Sequence, residues 1–428
     1  VSTEAGRQAR GGAKPGLRDR LGSLRPTARG TVLLAAGLAL VVVGVALGVP
    51  AIVQAGMLAA LAVLAGVATV AADLAGPHRV GMRVTRTVHP HPVTVGETAS
   101  VTIEVLGRAG LDRARLSERA ARELSGGRPL RAKVVRAAGK VQLRYTITPA
   151  RRGRWSAGPL EIHLRDVLGT VRWSGELGAA RLVAVRPPVT RLHVPTGSAS
   201  LDTHAASGTR SPAPDDTALR DYRPGDDPRR VHWRSTARRG ELVVRQDEHA
   251  GRRPATVLLD LPTDDEALEW TIELGVSVAI SLLESGHRVR MLAGDSAAGR
   301  HRADELAADA LLDQAVDLTT PPDPVTSRRW LHGAIGDLTS RGAGSELVVA
   351  VLGGLDTRTQ GDLARIATVH DGWAMVRAAG PSTFVADETL RALRRAGWTA
   401  CLVRPGEPVR ASWQRLRDTG DLVVGAHR

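Results

Sequence analysis

The sequence predicts a membrane-anchored multidomain protein, with a hairpin of two transmembrane helices, an all-β sandwich, and an α/β domain on a parallel sheet. Three observations carry this expectation. No charged side chain occurs from Gly30 to Ala72. Residues 80–190 alternate apolar and polar positions between glycine turns, and beyond Ala255 strand-like runs alternate with helix-like ones. The chain has 428 residues, room for two or three units at roughly 150 residues each. Its 43% hydrophobic and 24% charged residues are a globular composition.

The hairpin is expected within residues 30–75. The uncharged run is 43 residues long, and one span needs roughly 20. Thr31–Val49 and Ile52–Ala72 are the expected spans, with Val49, Pro50 and Ala51 as the turn, where proline costs no helix-interior hydrogen bond. A secretory signal has an apolar stretch of only roughly 7 to 15 residues. Residues 1–29 form a basic tail with seven Arg or Lys, and Arg79, Arg83 and Arg86 follow the second span. By the positive-inside rule both ends are cytoplasmic, which predicts a multi-pass protein of the cell (plasma) membrane whose later domains face the cytoplasm. A single cysteine, Cys401, agrees with a reducing compartment and excludes a disulfide framework or a multi-cysteine zinc site.

The net charge of +14 is unevenly spread. Residues 80–190 carry 20 basic side chains against eight acidic, whereas residues 255–428 carry 18 against 24. This polarity suits a lipid bilayer with anionic headgroups near one end and a separate protein surface at the other. With 8 Trp, 2 Tyr and 1 Phe the chain lacks the aromatic platform of a single-strand nucleic-acid binder, so no nucleic acid is expected.

Residues 80–190 read as short strands at Val84–Val88, Ser100–Leu106, Val141–Thr148, Leu160–Leu164 and Arg181–Val185. Val141, Leu143, Tyr145 and Ile147 point one way, and Gln142, Arg144, Thr146 and Thr148 the other. A two-sheet sandwich is the economical architecture. Its basic surface fits either solvated strand faces or contact with anionic headgroups.

Residues 202–254 form a linker with 11 Arg and nine acids among 53 residues. So balanced a mixture favours internal Arg–carboxylate pairs over a one-signed groove. At its centre stand Arg220, Tyr222, Gly225, Asp226, Asp227, Arg229, His232, Trp233 and Arg238. Pro224-Gly225 is expected to turn the chain and present Asp226 and Asp227, and a helix is expected from Asp227-Pro228 through His232 to Arg238. Upstream lie Arg151-Arg152-Gly153-Arg154-Trp155, Gly158-Pro159-Leu160 and Asp166-Val167-Leu168-Gly169. Together these stretches resemble the signature of the domain-of-unknown-function 58 family, and the resemblance extends over essentially the whole chain. It implies a bacterial membrane protein with a von Willebrand factor type A-like domain, encoded beside MoxR-type AAA ATPases and transglutaminase-like membrane proteins. An adaptor that presents substrates to such an ATPase, in assembly, maturation or envelope processes, is the implied role. The chain has no Gly-x-x-x-x-Gly-Lys-Ser/Thr loop, so ATP hydrolysis is assigned to the partner. A hydrolase reading would make His232 a general base held by Asp226 or Asp227, although no nucleophile accompanies them. The alternative is that Tyr222, His232 and Trp233 pack the motif while its arginines and aspartates lock the linker.

Residues 255–428 are expected to form the α/β domain. Strands are predicted at Thr256–Asp260, Arg288–Ala293, Glu346–Leu352, Ala374–Ala378 and Ala400–Val403. Helices are predicted at Asp264–Ser285, Arg328–Arg341, Asp362–Val369 and Glu388–Ala396, on both faces of a parallel (Rossmann-type) sheet. Ile272, Val276, Ala279, Ile280 and Leu283 form the stripe expected to pack on it. The type A-like resemblance would place a first metal ligand at Asp260, yet Asp260-Leu261-Pro262-Thr263-Asp264 lacks the hydroxyls of that motif and Gly353-Gly354 replaces a later Asp. Asp260, Thr263 and Asp264 then hold a weak Mg²⁺ through water, as a divalent-ion-dependent ligand receptor would require, or Asp264 caps the following helix. Cys401, in the apolar run Ala400–Val403, is expected to be a buried inert thiol.

Overall fold

The computed structural model describes residues 24–75, 83–106, 114–137, 139–194, 219–221, 236, 241, 243–245, 254–295, 299–340, 346–378 and 383–425. They belong to two compact units, Val1–Val185 and Arg186–Arg428.

In the first unit β1 (Leu24–Pro26) leads into α1 (Ala28–Leu47) and α2 (Pro50–Ala75). Both helices are long and apolar enough to cross a membrane. The Thr27 hydroxyl caps α1 by accepting from Gly30 N, and it donates to Gly169 O at 2.6 Å. Gly48, at φ +64°, ends α1 in the left-handed region. Pro50 then opens α2 at a first-turn position, where its missing N–H leaves no intrahelical bond unmade. Gly30, Gly37 and Gly44 are the buried residues of α1, a seven-residue spacing that keeps to one stripe of the helix. A Cβ on Gly56 would lie 2.5 Å from Gly37 O, so the absence of side chains there lets the two backbones touch. Away from the seam, Val32, Leu38, Val45, Leu58 and Leu64 are 63% to 68% exposed.

Two antiparallel sheets complete this unit. One has the order β2 (Arg83–His89), β4 (Ala99–Leu106), β7 (Lys140–Ile147), β6 (Lys133–Ala137). The other joins β1 to β9 (Val171–Leu177), β8 (Gly153–Arg165), β10 (Arg181–Arg186) and β3 (Val93–Thr94), with β5 (Arg115–Ala120) also on β8. The short helix α3 (Arg122–Ser125) follows β5. The sheets share one core, with Val101, Ile103, Val105, Val141, Leu143 and Ile147 facing Ala157, Leu160, Val183 and Val185. The alternation read from β7 is observed: Val141, Leu143, Tyr145 and Ile147 are buried and Arg144 and Thr146 exposed. Val70 of α2 joins a smaller cluster with Ile162, Leu164 and Trp173. Asp166 organises the β8–β9 turn, accepting from Val171 N (2.7 Å), Leu168 N (3.1 Å) and Thr170 Oγ1 (2.9 Å).

In the second unit β11 (Leu219–Asp221) pairs antiparallel with β12 (Val243–Arg245). The main sheet is fully parallel. It contains β13 (Pro254–Leu259), β14 (Arg288–Ala293), β15 (Leu347–Leu352), β16 (Asp371–Arg377) and β17 (Thr399–Val403) in the order β14-β13-β15-β16-β17. Burial on both faces explains the unbroken apolar strands. Val257, Leu259, Val349 and Val351 face one core with α4 (Asp265–Glu284), α5 (Ala307–Asp317) and α9 (Val409–Gly425). Leu258, Val348 and Ala350 face a second core with α6 (Pro324–Ser340), α7 (Thr357–Ala367) and α8 (Phe384–Arg395). The stripe read on α4 is part of a wider burial, because Leu274, Val278 and Leu282 are buried too. The extended segment 186–194 covers that side: Thr190 N and Leu192 N donate to Ser277 Oγ and Ser281 Oγ at 3.0 and 2.9 Å.

Candidate functional site

In an open parallel sheet, ligands bind beyond the carboxyl ends of the strands where the strand order reverses. Here that point lies between β13 and β15. Asp260 follows the first, Gly353 follows the second, and a cleft of about 310 Å³ opens there. Asp260 Oδ2 accepts from Gly353 N at 2.8 Å and from Arg377 Nη2 at 3.0 Å, and the same Nη2 donates to Asp260 O at 2.7 Å. Arg377 is the last residue of β16, so its side chain passes over the end of β15. A Cβ on Gly353 would sit 2.9 Å from Asp260 Oδ2 and 3.3 Å from Arg377 Nη2, so glycine leaves the room for this crossing. The side chains of Arg377 and Asp260 are 5% and 13% exposed. Burial lowers the pKa of the Arg377 guanidinium, and the charge and hydrogen bonding of Asp260 oppose that shift.

The cleft walls are built from helix starts. Asp264 Oδ2 accepts from Ala267 N at 2.8 Å and caps α4, with Asp265 and Glu266 in the first turn. Asp356 caps α7, accepting from Thr359 N (2.8 Å) and Thr359 Oγ1 (2.7 Å), bonds that pull its carboxyl below the usual carboxylate range. The Ser327 hydroxyl has one proton, and its 2.6 Å contact with Leu261 O is shorter than its 3.3 Å contact with Asp260 Oδ1. The Thr359 hydroxyl lies 3.1 Å from His332 Nε2, but Thr359 is only 2% exposed and donates to Asp356. Neither hydroxyl is presented as a nucleophile with a free base beside it.

Asp260, Thr263 and Asp264 do not fit a Mg²⁺ site. The positive charge at Asp260 is the Arg377 guanidinium, Asp264 is engaged by its helix, and Thr263 is exposed. Among the described residues, no group of three His, Cys, Asp or Glu side chains comes together to hold a metal ion. Cys401 is buried at 2% exposure, and burial pushes its thiol up to about 12.

Of the signature, Tyr222, Gly225, Asp226, Asp227, Arg229, His232, Trp233 and Arg238 lie outside the described residues, as does the helix expected to run to Arg238. Arg220 is in β11, opposite Val244 of β12, so a strand pair brackets the motif. Sequence reasoning located Asp260 but missed Arg377, Ser327 and Asp356. The available signal was a lone charge in the apolar run Trp373-Ala374-Met375-Val376-Arg377-Ala378.

Two apolar helices, an antiparallel two-sheet layer and a parallel α/β unit with a cleft at its strand ends define a multidomain class of protein. Residues 218–377 match the family described as Protein of unknown function DUF58. The match takes in the bracketed signature and both members of the Asp260–Arg377 pair. Comparison with curated proteins finds no match.

Proposed function

We propose that this protein is a membrane-anchored adaptor that faces the cytoplasm and binds other proteins through its α/β unit, taken as von Willebrand factor type A-like. Its principal partner is a MoxR-type AAA ATPase in assembly, maturation or envelope processes, and a transglutaminase-like membrane protein is a second. The observation that carries the reading is the chemistry of the Asp260 cleft, where Asp260 and Arg377 are locked in an internal pair and the Ser327 and Thr359 hydroxyls are hydrogen-bonded within the protein. Such a surface is preorganised to recognise, and none of these four groups is poised to react. Membrane anchorage is supported by the apolar outer faces of α1 and α2, which a core helix would bury. The basic residues flanking the hairpin support the reading that both ends are cytoplasmic. The sheet order, with the first strand inside and helices on both faces, supports the type A-like reading.

Cross-linking mass spectrometry on full-length protein from its native membrane tests this. Wild type is compared with an Asp226→Ala, Arg229→Ala variant and with Arg328→Glu on the cleft rim, each checked for folding. Capture of a MoxR-type ATPase, lost in one of the two variants, supports the adaptor and locates its surface. No ATPase on the wild type refutes the partner assignment.

A further inference from the structure

The outer face of the sheet formed by β1, β9, β8 and β5 carries a basic cleft of about 610 Å³. Its floor is set by strand register. Arg25 of β1 lies directly opposite Arg172 of β9, and Arg172 directly opposite Arg165 of β8, so three guanidinium groups line up across three adjacent strands. The next row holds Ser174, His163 and Arg115. Like charges directly opposed on a sheet destabilise it, because the side chains leave Cβ atoms only about 5 Å apart. The four arginines are exposed, and none pairs with a carboxylate among the described residues. Glu161, 3.9 Å from His163, is taken by Arg119 at 2.5 Å. An arrangement that repels itself and has no counter-ion among the described residues suits an external anion, and the planar Arg fork matches phosphate oxygens two at a time.

The position of the cleft says which anion. Pro26 and Val171 form the next pair along from the arginine row, and there Thr27 N donates to Thr170 O and α1 begins. Thr27, the N-cap of α1, is two residues from Arg25, so the first row lies about 7 Å from the helix base and the second, two residues further along the strands, about 14 Å from it. The β8–β9 turn beside that base carries Val167 and Leu168, 76% and 58% exposed, and Gly30 and Gly66 both abut Thr170. Two bare apolar side chains beside the start of α1 mark an interface plane. The headgroup layer on each side of the hydrocarbon is roughly 5 to 8 Å thick, so the row of Arg25, Arg172 and Arg165 lies at about phosphate depth.

We propose that this cleft is a binding site for the phosphodiester headgroup of an anionic phospholipid in the leaflet at the base of the α1–α2 hairpin. The proposal rests on the membrane reading of that hairpin. One phosphate shared by the Arg25, Arg165 and Arg172 forks replaces their mutual repulsion with charge-assisted hydrogen bonds. The bound lipid in turn fixes how the sheet meets the bilayer.

The test is native mass spectrometry of full-length protein in detergent, titrated with phosphatidylglycerol or phosphatidylcholine. Three proteins are compared: wild type; Arg25→Gln, Arg165→Gln, Arg172→Gln; and a control of equal charge loss, Arg128→Gln, Arg131→Gln, Lys133→Gln. The expected result is roughly tenfold tighter binding of phosphatidylglycerol by wild type and control, falling to near equality in the cleft variant. Melting without added lipid shows whether the cleft variant folds, and it is expected to melt no lower than wild type because repulsion is relieved. Retained selectivity in the cleft variant, or equal loss in the control, overturns the site. Displacement of the lipid by millimolar inorganic phosphate would show an open anion site and overturn the lipid assignment. Carbonate extraction of native membranes separates the two levels. Release of wild-type protein means the hairpin reading has failed, whereas embedded protein without lipid preference sinks only this proposal.

Discussion

Replacing Arg377 by methionine keeps most of the side-chain volume and removes the cation that pairs with Asp260. Breaking a buried pair by deleting one member costs about 3 to 5 kcal/mol, because the other charge stays behind uncompensated. Asp260 is 13% exposed on the cleft side and can recruit water, so Arg377→Met belongs near about 3 kcal/mol. In Asp260→Asn the stranded charge is a guanidinium only 5% exposed, which points to about 5 kcal/mol. Thermal unfolding of the full-length protein in detergent, followed by tryptophan fluorescence, reports this, since the buried Trp398 and Trp413 lie in the affected unit. At about 2 to 4 °C per kcal/mol for a unit of this size, Arg377→Met is expected to lower its Tm by about 6 to 12 °C. The double variant should lose clearly less than the sum of the single losses, by about 2 kcal/mol, because neither charge is then stranded. Additive losses would refute the pairing. Millimolar Mg²⁺ should leave wild type unmoved and raise the Tm of Arg377→Met, where the ion takes the vacated position. A Mg²⁺ response in wild type would refute the view that the guanidinium occupies the place of the cation.

Acidification should destabilise the second unit in two stages. Burial lowers the pKa of His370 from its ordinary 6.5, and its Nδ1 accepts from Glu346 N. The stability linked to neutral His370 is therefore full above about pH 6.5 and is lost as pH falls through the lowered folded value. Burial opposes ionisation of Glu346, but hydrogen bonds from His301 and Thr256 with the charge of Arg290 bring it below its ordinary 4.5, so its share is full above about 4.5 and disappears below. In a Tm–pH profile, His370→Gln should remove the upper stage and leave the lower. Cys401 should resist a disulfide reagent at pH 8 in the folded protein and react fully in denaturant; fast labelling of folded protein would contradict its burial. Gly56→Val should force α1 and α2 apart, since its Cβ would meet Gly37 O at 2.5 Å and Val41 N at 2.9 Å. A cysteine pair engineered across the seam should then cross-link several-fold less, and unchanged cross-linking would disprove the close glycine contact.

Elements with a strong burial pattern were legible from sequence, and those stabilised by position were not. The strand expected at Val141–Thr148 is present because half of its side chains enter the core between the sheets. β6 was missed because it is an edge strand exposed along its whole length, so no alternation marks it. β1 is three residues long and exists through its pairing with β9, which sequence does not display. Helices expected from Arg328 and Asp362 start at Pro324 and Thr357, because Asp323 and Asp356 cap them earlier than the apolar periodicity begins. α4 is buried beyond the apolar stripe read from sequence, and Ser277 and Ser281 do not face solvent. They instead receive the backbone N–H groups of residues 190 and 192.

The candidate site was half legible, for a reason rooted in parallel topology. Asp260 announces itself as an acid at the end of an apolar strand, and Asp264 as a cap before a helical run. Their local neighbourhood contains oxygen donors and no cation, which leaves a weakly held metal and a helix cap as the two readings. The completing charge is 117 residues away in sequence. Parallel strands start at one edge of the sheet and finish at the other, so residues ending β13, β15 and β16 meet whatever the separation between them. Gly353-Gly354, read as the loss of a ligand, has a positive role at Gly353, where any side chain would obstruct the path of Arg377 to Asp260. Gly353 and the buried Arg377 therefore belong to one arrangement around Asp260: a side chain after β15 would crowd the guanidinium, and a divalent ion beside Asp260 would repel it.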